Sequence, residues 1–90
     1  MKGVVVWSYT WDGWDHVDTQ SREVFESTEA ALKRAKELEE EIEKYPRHLF
    51  CYGPYTVKVR RGEKILRETE IGYYWNDPQL HVQHVKGDNV

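Results

Sequence analysis

The sequence predicts an α+β fold in which one antiparallel sheet of four to five strands packs against a single amphipathic helix. The predicted order is ββαββ, with a fifth short strand as an optional edge. Three observations carry this prediction: a hairpin signal at Asp12-Gly13, a helical apolar stripe within residues 27–45, and an alternating segment at residues 55–60 that returns after a turn. One helix covers only one side of such a sheet, so the other side must be polar or be covered by a partner.

The first hairpin is predicted from the β-branched and aromatic residues that precede Asp12-Gly13, a residue pair that suits a tight type I′ turn. With a two-residue turn, aromatic and polar residues share one side of the hairpin: Trp7, Tyr9, Trp11, Trp14, His16 and Asp18. In this register Tyr9 lies opposite His16 and Trp7 opposite Asp18. Smaller residues occupy the other side: Val4, Val6, Ser8, Thr10, Val17 and Thr19. The alternative is a longer connection from Asp12 to Ser21, with the second strand confined to Arg22–Phe25, and a slip of one residue exchanges the two sides.

The helix is predicted to begin after Ser27, whose hydroxyl suits an N-cap, and to run to about Tyr45, just before Pro46. Its buried stripe is formed by residues at three- and four-residue spacing: Ala31, Ala35, Leu38, Ile42 and Tyr45, with Leu32 beside them. The opposite side is acidic and is predicted to face solvent: Glu37, Glu39, Glu40, Glu41 and Glu43. The helix should therefore lie on the sheet with its carboxylates outward.

A second hairpin follows a connection at residues 47–54. Residues 55–60 alternate apolar with polar, Arg61-Gly62-Glu63 suits a turn, and the chain returns as a strand over residues 64–74. The breaker Asn76-Asp77-Pro78 comes next. Leu80 to Val85 is the optional fifth strand, at an edge.

Composition indicates one domain, residues 1–90, with residues 86–90 as a flexible tail. The chain has 90 residues, 39% hydrophobic and 13% aromatic, with a formal charge of −3. This charge argues against general nucleic-acid binding, which requires Lys and Arg to neutralise phosphates. No apolar run is long enough to cross a bilayer, and the single Cys51 favours a reducing compartment, so we expect a cytoplasmic protein.

The aromatic side of the first hairpin is the first candidate binding surface. Trp7, Tyr9, Trp11, Trp14 and His16 would form a platform for a flat ligand or, since Trp and Tyr dominate interface hot spots, for a protein. The competing interpretation is that these rings form the core, because a small domain depends on aromatic burial. Which side of the sheet the helix covers decides between them.

Positive charge in the second hairpin is the other candidate. The cationic residues are Lys58, Arg60, Arg61, Lys64 and Arg67. Arg60 and Arg61, together with aromatic residues near the end of the hairpin, Tyr73 and Trp75, would suit a phosphate-bearing nucleotide, because guanidinium matches phosphate in a forked geometry. The competing interpretation is a charge pattern that protects a strand edge from aggregation.

Catalytic and metal-binding patterns are weak. The carboxylates Asp12, Asp15 and Asp18 lack the spacing of a calcium loop, and in a strand His81 and His84 point to opposite sides. His48 and Cys51 lack a signalled third residue that would make them a catalytic pair. We therefore predict no enzyme activity, no cofactor and no metal.

The run VVVWSYTWDGWD, followed by EVFESTEAALKRAKELEEE and a charged hairpin, resembles small single-domain accessory proteins of phages and other mobile elements. The resemblance covers Val4 to about Glu41. It implies a stoichiometric inhibitor of a host defence component that acts in the host cytoplasm. No functional residue is carried over by the resemblance.

Two mechanisms follow from that implied setting, and an ordinary cellular interaction module is the remaining hypothesis. An oligomer would sequester a nucleotide immune signal with its aromatic and Arg/Lys side chains. Alternatively, the chain would cover a host defence protein, such as a CRISPR effector. The partners are therefore a host defence protein or a nucleotide signal, with a homodimer or larger homo-oligomer as the form that covers the second side of the sheet.

Overall fold

The computed structural model describes residues 3–11, 16–51 and 53–87. They form a five-stranded antiparallel sheet with one α-helix, α1, packed on one side, as predicted. In chain order the elements are β1 (Val4–Trp11), β2 (Val17–Phe25), α1 (Thr28–Glu43), a short 3-10 helix (Arg47–Phe50), β3 (Tyr55–Arg61), β4 (Lys64–Tyr73) and β5 (Leu80–Lys86). The spatial order is β2-β1-β3-β4-β5, so β1 and β3 are hydrogen-bonded neighbours and β2 and β5 are the edges. The strand β5 extends one residue into the predicted tail, and residues 88–90 lie outside the described part.

The helix α1 begins and ends close to the predicted residues. Ser27 is the N-cap, and its hydroxyl oxygen accepts a hydrogen bond from the Ala30 backbone N–H at 3.3 Å. The helix ends at Glu43, two residues before Tyr45, whose ring instead packs edge-on against Tyr55 at 5.4 Å. With sixteen residues and a charged outer side, this one α-helix of the described residues is too short and too polar to span a bilayer.

The core lies between α1 and the valine side of the sheet. From the sheet it takes Val4 and Val6 of β1, Val57 and Val59 of β3 and Ile71 of β4, all with no exposed surface. From α1 it takes the predicted stripe: Ala31, Ala35, Leu38 and Ile42. The aromatic side of β1 therefore faces away from the helix, and we call that side of the sheet the open face.

The register of the first hairpin differs from the tight-turn prediction. Trp11 lies opposite Val17 and Tyr9 opposite Thr19, whereas Trp7 lies opposite Arg22. The predicted pairs Tyr9 with His16 and Trp7 with Asp18 are therefore wrong, and so is the alternative in which the second strand begins at Arg22.

Two features explain this difference in register. The connection from Trp11 to Val17 contains five residues rather than two, and the pairing shifts by one residue between Ser8 and Tyr9. Val17 and Thr19 consequently share the open face with the aromatic residues of β1, and Asp18 is opposite Thr10 on the helix side. The predicted turn residues Asp12 and Gly13, and Trp14 after them, lie outside the described residues.

One glutamate of α1 is buried, contrary to the prediction that it faces solvent. The Glu39 carboxylate accepts two hydrogen bonds from the Arg67 guanidinium, from Nε and from an Nη atom, each at 2.9 Å. Arg67 faces α1 because the β3–β4 pairing is irregular between Val59 and Arg60, so that Leu66 and Arg67 both lie on the covered side. This hydrogen-bonded carboxylate raises the pKa of Arg67 above its ordinary value.

The Glu39–Arg67 pair generates a stability prediction. Replacing one member leaves the other as an unpaired buried charge. Arg67→Met should therefore lower the free energy of unfolding by about 3 kcal/mol in urea denaturation. The double variant Glu39→Leu/Arg67→Met should recover most of that loss, because no unpaired charge remains. Glu40→Gln, on the exposed neighbouring position, is the control and should change stability by less than about 0.5 kcal/mol. Equal losses in the single and double variants would contradict the prediction.

Candidate binding surfaces

The open face carries a row of aromatic side chains from β1. Because side chains alternate along a strand, burial of Val4 and Val6 against α1 sends Trp7, Tyr9 and Trp11 to the opposite side. Trp7 and Tyr9 are half-buried among their neighbours, and Trp11 at the end of the strand is 51% exposed. The three residues therefore share one side of β1, as strand alternation predicts from the sequence.

The rings of Trp7 and Tyr9 are held in fixed positions. Their centroids are 4.2 Å apart at an interplanar angle of 32°, and the Trp7 Nε1–H donates a hydrogen bond to the Thr19 hydroxyl at 3.0 Å. Cations from both neighbouring strands lie against them: the Arg22 guanidinium and the Lys58 ammonium are each 5.8 Å from the Trp7 ring, and Lys58 is 5.6 Å from Tyr9. Such cation–π contacts favour one arrangement of the rings before any partner arrives.

Charge is divided across the open face. The cations Arg22, Lys58 and Arg60 lie on β2 and β3, and the carboxylates Glu68 and Glu70 lie on β4. Lys58 is directly opposite Glu68 in the β3–β4 ladder. Lys86 of β5 lies opposite Glu68 on its other side, so the carboxylates of β4 are flanked by cations of β3 and β5. A partner would therefore meet charges of both signs in a fixed arrangement, which favours one orientation.

Two shallow depressions interrupt the open face on either side of Pro54. One, of about 250 Å³, is bounded by Tyr9, Trp11, Val17 and Thr56, and the other, of about 220 Å³, by Gly72, Tyr74, His81 and Gln83; both share Pro54 and Glu70. Pro54 can lie across β4 because position 72 is glycine: a Cβ there would be 2.9 Å from the Pro54 Cα. The proline therefore forms a ridge between the two depressions.

A third depression, which we call the end depression, lies where the 3-10 helix meets the end of β4. It has a volume of about 760 Å³ and is lined by aromatic, cationic and small residues: Arg47, His48, Phe50, Cys51, Gly53, Tyr73, Tyr74 and Trp75. The Arg47 guanidinium lies 4.5 Å above the Tyr73 ring and donates a hydrogen bond to the Asp77 backbone oxygen at 3.1 Å. Trp75 is 91% exposed at its rim.

The loop that carries Tyr74 and Trp75 is fastened to β5 by Asp77. One carboxylate oxygen accepts a hydrogen bond from the Gln79 backbone N–H at 2.9 Å, and the other lies 2.8 Å from His81 Nε2. The His81 ring stacks on Tyr74 at 4.2 Å. The hydrogen bonds from Gln79 and His81 hold the pKa of Asp77 below its ordinary value.

The predicted basic hairpin does not form one patch. Arg60 is on the open face, opposite Val5, whereas Arg61 donates a hydrogen bond to the Thr28 hydroxyl at the start of α1 and Arg67 pairs with Glu39. The cause is strand alternation together with the β3–β4 irregularity, which sends successive cations to different sides of the sheet.

The remaining predicted site residues are dispersed. Tyr73 and Trp75 border the end depression, whose described lining does not include Arg60 or Arg61, the residues with which they were predicted to hold a nucleotide. His16 is exposed just before β2, and Trp14 lies outside the described residues. Within the described ranges no group of three His, Cys, Asp or Glu side chains is arranged to hold a metal ion.

Two cations of the candidate surfaces, Arg22 and Arg47, were not predicted from the sequence. The sequence did not determine which side of the sheet Arg22 faces, because the register of the first hairpin was unknown. Arg47 follows Pro46 in a connection with no periodic pattern, so nothing in the sequence signalled that it would lie over the Tyr73 ring, 26 positions later.

Comparison of the chain with family models, with curated proteins and with solved structures finds no match.

The contacts of the Asp77 carboxylate with Gln79 and His81 predict that the stability of the fold depends on pH. Because the folded pKa is below the unfolded value of about 3.9, this carboxylate stabilises the fold above that pH, and the contribution is lost as the pH falls through the folded pKa. Asp77→Asn should therefore be less stable than the parent at pH 7, with the difference shrinking as the pH falls below about 4. Urea midpoints at pH 7, 4 and 2.5 measure this. Glu63→Gln, in the exposed β3–β4 turn, controls for the loss of one negative charge, and a gap that stays constant with pH for Asp77→Asn would refute the assignment.

Proposed function

We propose that this chain is a non-enzymatic binding module that covers a partner protein with the open face of its sheet. The observation that carries the proposal is the aromatic pair Trp7 and Tyr9, fixed between Arg22 and Lys58 on the side that α1 leaves uncovered. Trp, Tyr and Arg are the residues that most often dominate the binding energy of protein interfaces.

The shape of the open face favours a protein over a small molecule. The two depressions formed by described residues, of about 250 and 220 Å³, are below the roughly 300 to 1,000 Å³ of ordinary ligand pockets. The Trp7 and Tyr9 rings also contact each other, so no slot is open between them for a flat ligand. A broad surface that carries fixed aromatic rings and charges of both signs suits a complementary protein surface.

The biological form that we propose is stoichiometric inhibition of a host defence protein, such as a CRISPR effector, in the host cytoplasm. It is supported by the resemblance of Val4 to about Glu41 to phage accessory proteins, together with a surface that acts by occupation. The competing partners are an ordinary cellular protein and a second copy of this chain.

A second candidate function is the sequestration of a nucleotide signal. The observation that favours it is the end depression, where an arginine is held beside exposed aromatic rings. This site is separate from the aromatic row of β1, so the two functions can be tested independently.

The open-face proposal predicts the effect of Trp11→Ala/Lys58→Glu. Partners captured from host lysate by the tagged parent should bind this variant at least tenfold more weakly in a titration with the purified partner, because an aromatic contact is removed and a charge reversed. Trp75→Ala, which removes a tryptophan of the end depression, is the matched control and should bind the protein partner like the parent.

Circular dichroism and the urea midpoint confirm that the variants are folded. Light scattering of parent and variant identifies a second copy as the partner if an oligomer of the parent dissociates in the variant. A folded Trp11→Ala/Lys58→Glu variant that retains full affinity for every captured partner would rule out the open face as the interface.

A further inference from the structure

We infer that the end depression is a binding site for a small ligand that combines a flat aromatic ring with an anionic group, the chemistry of a mononucleotide. The inference rests on the second candidate function, for which it names the site and the ligand class, and the site shares no residue with the aromatic row Trp7, Tyr9 and Trp11.

Arg47 provides the group that recognises the anion. Its guanidinium lies over the Tyr73 ring, 4.5 Å from the ring centroid, and donates a hydrogen bond to the Asp77 backbone oxygen at 3.1 Å. That hydrogen bond uses an N–H of one terminal nitrogen out of the five N–H groups that a guanidinium carries. An arginine whose plane is already fixed loses little conformational freedom on binding, and its fork matches two phosphate oxygens.

Aromatic rings surround this arginine. Phe50 meets Tyr73 edge-on at 5.2 Å and forms the floor with it, whereas Tyr74 and Trp75 stand at the rim, 59% and 91% exposed. The Tyr74 ring is fixed from its other side by the stacked His81 at 4.2 Å. An exposed indole beside a fixed phenol offers the stacking surface that a base needs.

The local charge also favours an anion. The chain as a whole carries −3, yet the described lining residues include the cation Arg47 and no carboxylate. The Asp77 carboxylate accepts a hydrogen bond from Gln79 and lies beside His81, and it also attracts Arg47 electrostatically. An anionic ligand would therefore meet no carboxylate among the described lining residues, and it would compete with Asp77 for Arg47.

Size separates this site from the other depressions. Its volume of about 760 Å³ lies within the range of small-molecule pockets, and it is about three times that of either depression on the open face. The ring and the anionic group of one ligand can therefore contact Trp75 and Arg47 together.

The test is isothermal titration of the purified chain with adenosine 5′-monophosphate, guanosine 5′-monophosphate and cyclic di-adenosine monophosphate, with adenosine and inorganic phosphate as partial ligands. We expect at least one nucleotide to bind, and adenosine and phosphate each to bind at least tenfold more weakly than it does. Tighter binding of the cyclic dinucleotide than of the mononucleotides would identify a signalling nucleotide as the ligand, since it offers the same combination of aromatic ring and anionic group. Absence of heat for all three nucleotides at millimolar concentration, or phosphate binding as tightly as the best nucleotide, would overturn the inference.

Variants locate the binding. Trp75→Ala should weaken nucleotide affinity by roughly tenfold to hundredfold without changing the urea midpoint, because the indole is exposed. Arg47→Lys keeps the charge but not the fork and should weaken binding by at least fivefold, whereas Trp11→Ala on the open face is the control and should bind like the parent. Unchanged affinity in Trp75→Ala would overturn the site. Loss of nucleotide binding in Trp75→Ala with full protein binding would separate this site from the open-face function.

Discussion

The contact between the alanine side of α1 and the valine side of the sheet determines the rest of the structure. Ala31 and Ala35 have no exposed surface, and their small side chains let the helix lie close to Val6, Val57 and Val59. A helix in that position can bury only one side of a five-stranded sheet. The aromatic side of β1 is therefore left outward as a consequence of packing the smaller residues inward.

Most of the fold could be predicted from local signals, whereas the facing of individual charges could not. The Ser27 cap, the helical stripe and the alternation of residues 55–60 each have a short-range physical cause, and each was found where it was expected. The register of the first hairpin was predicted wrongly because it depends on a five-residue connection and on an irregularity opposite Ser8. Neither feature has a signal in the composition. The exposure of Glu39 was predicted wrongly for a similar reason, since its partner Arg67 is 28 positions away in the sequence.

The candidate site was predicted in part for the same reasons. Trp7, Tyr9 and Trp11 were grouped correctly because strand alternation alone places them on one side. The cations of the second hairpin were not grouped correctly, because strand alternation and an irregular ladder distribute them between the helix side of the sheet and the open face. Arg47 gained its place beside Tyr73 only through tertiary structure, after the chain had crossed from α1 to the end of β4.

The irregularity between Ser8 and Tyr9 lets β2 lose one residue without changing which side chains face outward. Gln20 is the extra residue that has no partner in the β1 ladder, and residues on its two sides alternate out of step with each other. Deletion of Gln20 would make Thr19 and Ser21 sequence neighbours on opposite sides of the strand, which is ordinary alternation. Thr19 would keep its place beside Trp7, and Asp18 would stay on the helix side. In evolution this strand should accept the loss of that one residue more readily than a further insertion.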